Sequence, residues 1–66
     1  MTTEIKERLR VYLKDHKEES FQPKDLLEVS GIDIGMTYKL LLEMAGSKLL
    51  KKVFPEKTNR VYFQYW

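Results

Sequence analysis

The chain has 66 residues, with 12 Lys+Arg against 10 Asp+Glu and a formal net charge of +2. That suffices for one small domain with a thin core, burying roughly 60% of its unfolded surface. The absence of cysteine excludes disulfides, thiolate zinc sites and cysteine nucleophiles, and a lone His16 argues against a His-rich metal site or a serine–histidine pair.

At 42% hydrophobic and 33% charged residues, the composition is that of a folded protein rather than a disordered tail. No apolar run approaches the roughly 20 residues needed to span a membrane. The opening residues, Met1-Thr2-Thr3-Glu4-Ile5-Lys6, carry no hydrophobic signal region, so a cytoplasmic protein without membrane contact is expected. The charge is unevenly spread. Residues 1–19 are balanced, residues 20–47 are net −2, and residues 48–66 are net +4.

Residues 3–18 predict an amphipathic helix, because Ile5, Leu9, Tyr12, Leu13 and His16 fall on one face. Thr2 or Thr3 would cap its start. Glu4–Arg8 and Lys14–Glu18 would pair across its wet side. Ser20-Phe21-Gln22 reads as a short link. Pro23 suits the first position of a second helix over residues 23–30, which turns Leu26, Leu27 and Val29 to the core. Gly31 would end it in the left-handed conformation. Asp33 would cap a third helix from Ile34 to Ala45, with Thr37, Leu41 and Met44 on one face and Leu40 beside them. Gly46-Ser47 would stop that helix. Residues 48–54 and 60–66 predict two strands joined by the turn-rich loop Pro55-Glu56-Lys57-Thr58-Asn59, forming a hairpin. In the second strand, Val61, Phe63 and Tyr65 alternate with Tyr62, Gln64 and Trp66. Phe63 and Tyr65 should pack on the first helix, leaving Tyr62 and Trp66 outward.

The expected fold is therefore α+β and mostly helical: three helices, then a two-stranded β-hairpin, in one domain over residues 1–66. This order resembles the winged helix-turn-helix family of small transcriptional regulators. Phe21-Gln22-Pro23-Lys24-Asp25-Leu26-Leu27-Glu28-Val29-Ser30-Gly31-Ile32-Asp33 is similar to the family's helix and turn leading into the recognition helix. Met36-Thr37-Tyr38-Lys39-Leu40-Leu41 resembles its Thr-Val-x-Arg/Lys-x-Leu stretch. Leu49-Leu50-Lys51-Lys52-Val53 resembles the following strand, and Phe54 to Trp66 would be the wing. Lys48 stands where the family usually has Gly, with the glycine two residues early at Gly46. Ser30 occupies a usually apolar position, which would weaken the second helix's packing.

The resemblance implies double-stranded DNA binding, with the third helix in the major groove. Its outward residues would be Ile34, Gly35, Met36, Tyr38, Lys39, Leu42 and Glu43. Lys39 is the lone cation among them. No Arg, Asn or Gln offers the bidentate contacts that discriminate G or A, and Asp33 and Glu43 would repel phosphate. In one reading, the wing then supplies most of the affinity through Lys57, Asn59 and Arg60, with Lys51 and Lys52 extending the positive surface. Lys24 and the N–H groups opening the second helix would add a phosphate contact. Met36, Tyr38 and Lys39 complete that candidate DNA-binding set. In the other reading, Ile34, Met36, Tyr38 and Leu42 form a protein interface and DNA binding is weak or absent. Lys51-Lys52 also reads simply as solvated surface, and His16 as a structural histidine.

A homodimer would use Tyr62 and Trp66 or the first helix, and those two aromatics could instead stack on single-stranded nucleic acid. The carboxylates are dispersed, and Gly31, Gly35 and Gly46 form no phosphate loop, so the sequence predicts no enzyme, metal, cofactor or small-molecule ligand.

Overall fold

A computed structural model describes residues 2–55 and 59–66. Helix α1 spans Thr2–Asp15, followed by a turn through residues 16–18. Leu9 and Leu13 are fully buried, while Ile5 and Tyr12 pack at the core's margin. The helix stops three residues before the predicted end at residue 18. His16 turns back instead, its backbone N–H meeting the Tyr12 carbonyl at 3.2 Å and its Nδ1 lying 2.8 Å from the same oxygen. Lys14 and Glu18 therefore do not share a helical face. Glu4 and Arg8 do share one, but the Arg8 guanidinium donates to the Ser30 carbonyl at 3.2 Å, tying α1 to the second helix. The structure places both Thr2 and Thr3 inside the helix rather than before it.

The link is more than a link. Phe21 forms an antiparallel bridge with Phe63, each backbone N–H donating to the other's carbonyl at 2.9 and 2.7 Å. A single residue has no periodicity to read, so this pairing is silent in the sequence.

The second helical segment opens as a 3-10 turn, Pro23–Leu26, and continues as α2, Leu27–Ser30. Gly31 closes it at φ 72°, and its N–H donates to the Leu27 carbonyl at 2.8 Å. Asp33 caps α3, Ile34–Gly46, accepting the Met36 N–H at 3.3 Å. Thr37, Leu40, Leu41 and Met44 are buried, as the spacing predicts.

The Ser30 position corrects the expectation of weak packing. Ser30 and Thr37 are both fully buried, with their hydroxyl oxygens 2.8 Å apart. Thr37 donates to the Asp33 carbonyl at 2.9 Å, and Ser30 accepts the Ile32 N–H at 3.3 Å. A satisfied polar pair thus fixes the angle of the turn between α2 and α3, where an apolar side chain would only fill space.

Strands β1, Leu50–Val53, and β2, Tyr62–Tyr65, pair antiparallel with Leu50 opposite Tyr65 and Lys52 opposite Phe63. With the Phe21 bridge, the spatial order is Phe21, β2, β1. Leu50 and Phe63 are buried against the helices and join Leu9, Leu13, Leu26, Leu40, Leu41 and Met44 in one core. Three helices followed by this hairpin is winged-helix topology, the α+β fold expected from the order of elements.

The glycine displaced in the sequence has a structural counterpart. Gly46 is the last helical residue of α3, and the left-handed position falls on Lys48, at φ 65°. The Lys48 N–H donates to the Ala45 carbonyl and the Leu49 N–H to the Met44 carbonyl, both at 3.0 Å. This is a Schellman ending with lysine where glycine is favoured.

Candidate functional site

The outward face of α3 begins with the residues that the turn leaves uncovered. Ile34 is 51% exposed, Met36 41% and Tyr38 39%. Lys39 is exposed beside them. Leu42 behaves differently from the expectation: it is half-buried and packs against the core, so the open apolar patch is shorter than the outward set suggests. The Tyr38 ring leans edge-on toward Phe63, with centroids 6.1 Å apart, which sets the third helix directly against the hairpin.

The acidic residues on this segment are engaged within the molecule. Glu43 pairs with Lys6 of α1 at 2.6 Å, and this contact holds its carboxyl below the ordinary value of 4.5. Asp33 spends its carboxylate on the cap of α3. The two carboxylates that the sequence sets against phosphate are thus compensated, one by a lysine and one by the positive end of a helix. No spacing rule connects Lys6 to Glu43, because the two meet only through the packing of α1 on α3.

Lys24 is exposed on the 3-10 turn. Its neighbourhood differs from the expected phosphate cradle. The Asp25 carboxylate accepts the Gln22 N–H at 3.1 Å, so a negative charge already occupies the opening of this short segment.

The hairpin divides its cations. Lys52 lies opposite the buried Phe63 and so points to the helix side of the sheet, beyond the core and exposed. Lys51 points to the other side, where its ammonium sits 5.4 Å above the Trp66 ring. The two lysines therefore do not form one positive surface; Lys52 shares the side on which Tyr38 meets Phe63. Asn59 and Arg60 are exposed in the loop before β2. Lys57 lies outside the described residues. Tyr62 is half-buried, and its hydroxyl accepts from Gln22 Nε2 at 2.8 Å, whereas Trp66 is 66% exposed.

His16 is half-buried between Tyr12 and Phe21, with ring centroids 4.3 and 6.1 Å away, a packing role for the lone histidine. Among the described residues, no three His, Asp or Glu side chains are grouped to hold a metal ion, and no helix is long and apolar enough to cross a membrane. Comparison with protein-family models, with curated proteins and with solved structures gives no match to any of them.

Proposed function

We propose that this domain is a non-enzymatic double-stranded DNA-binding module, a small transcriptional regulator that sets α3 in the major groove and its basic wing on the flanking backbone. The observation that carries the reading is the open α3 face of Met36, Tyr38 and Lys39, whose nearby carboxylates are tied back to Lys6 and to the helix cap. Lys57, Asn59 and Arg60 would contact phosphates from the wing, and Lys52 and Lys24 would add charge at its flanks. Sequence discrimination rests on apolar contacts of Ile34, Met36 and Tyr38 with thymine methyls, so the affinity is mostly electrostatic.

Titration of mixed-sequence duplex DNA at several salt concentrations tests this. Binding should weaken steeply with salt, and Lys57→Ala with Arg60→Ala should flatten the log–log slope by about one to two units. No binding at low salt would refute it.

The exposure of Ile34 and Met36 favours a second reading, a protein interface on α3. Under it, Met36→Glu abolishes association with a protein partner while duplex DNA leaves the α3 amide resonances unmoved.

A further inference from the structure

The hairpin has an outer edge that the DNA reading touches only through Lys52. Phe21 covers one side of β2 and β1 covers the other, which leaves the outer edge of β1 without a strand. Among the described residues, no backbone hydrogen bond reaches that edge. An open row of N–H and C=O groups is a template for another strand. We propose that the β1 edge docks an acidic, extended peptide segment of a partner protein, which joins the sheet as an added strand.

Three observations select that occupant. The edge carries adjacent cations on its two faces, Lys51 and Lys52, and neither has a carboxylate partner among the described residues. A second copy pairing edge to edge would bring the lysine pairs of both chains together, so like charge disfavours self-association there. An incoming strand with two consecutive acidic residues would instead meet one ammonium on each face of the sheet. Continuing the register one step places Leu49, 42% exposed, opposite Trp66, and together they offer an apolar seat for a side chain flanking the acidic pair. The Trp66 ring is a poor platform for a nucleobase, because the Lys51 ammonium already occupies one of its faces at 5.4 Å. Main-chain pairing would supply the affinity and the charge pattern the choice of partner.

The test is an amide-resonance titration of the full 66-residue chain with the capped peptide Thr-Val-Glu-Asp-Val-Thr. Residues 50–53 and the Trp66 indole should shift, and the outward amides of β1 should exchange more slowly. The double variant Lys51→Glu, Lys52→Glu, with its helical circular-dichroism signal checked against the parent, should lose about tenfold or more in affinity. The same peptide with Lys-Lys in place of Glu-Asp should regain binding to that variant. Silence of β1 at millimolar peptide, or equal binding by the double variant, overturns the proposal. A Trp66 response to oligothymidylate but not to the peptide, or a dimer formed through β1, also overturns it. The α3 response to duplex DNA is a separate readout, so either reading can fail alone.

Discussion

Replacing Lys48 with Gly should stabilise the domain. Lys48 sits at φ 65°, the left-handed position of the Schellman ending of α3. An L-residue there costs roughly 1–2 kcal/mol relative to the right-handed conformation. Glycine removes that cost but loses more chain entropy on folding, about 0.5–1 kcal/mol. The Lys48 side chain is exposed, so little packing is given up. The balance is a gain of about 0.5–1 kcal/mol. For a domain of this size that corresponds to a rise in Tm of roughly 2–8 °C. Urea unfolding followed by helical circular dichroism, with unchanged m, measures it directly. The neighbouring glycine supplies the control. Gly46 is helical, and a Cβ added there meets nothing within 4 Å, so Gly46→Ala should also stabilise, by about 0.5–1 kcal/mol. A midpoint for Lys48→Gly at or below that of the parent would refute the reasoning, because the hydrogen bonds of the ending run through backbone groups that both residues possess.

Further outcomes follow from the same contacts. Gly31→Ala should cost about 1 kcal/mol in the same unfolding assay, through its φ of 72° alone, since its Cβ would find open space. Ser30→Ala and Thr37→Val should each destabilise by about 1–3 kcal/mol, and a double-mutant cycle should show the pair costing less than the sum of the singles. Glu43 is depressed in the folded state by Lys6, and Glu7 by its hydrogen bond with Arg10. Their contribution is therefore present above their ordinary value near 4.5 and lost as the pH falls through the lower folded values. Carbon-detected titration should place the Glu43 midpoint below 4.5 in the parent and return it to the ordinary range in Lys6→Ala.

Much of this fold is written in local pattern. The apolar faces of α1 and α3, the left-handed Gly31, the Asp33 cap and the alternating last strand are each signalled within a few residues. Helix ends were less legible. The stripe through His16 continues past Asp15, yet the imidazole is drawn to the Tyr12 carbonyl as the helix gives way to a turn. Gly46-Ser47 does mark the end of α3, but the left-handed residue of that ending is Lys48, two positions after the glycine. The candidate site was legible in composition and not in charge balance. The outward place of Met36, Tyr38 and Lys39 follows from the family resemblance, while the compensation of Glu43 by Lys6 depends on how α1 crosses α3. Similarly, alternation sends Lys51 and Lys52 to opposite faces of the hairpin, which a count of adjacent cations obscures.

The Phe21–Phe63 bridge also bears on how the domain is made. It joins the segment after the first helix to the last strand, across the longest span of sequence that the sheet closes. Phe63 is fully buried in one core with leucines from α1, the 3-10 turn and α3. A chain lacking residues 60–66 would therefore leave its helices without their shared cover, with Leu9 and Leu13 partly wet. The last strand is thus the lid of the core as well as half of the hairpin, and a free chain truncated before β2 should expose its helix faces as an open, sticky surface.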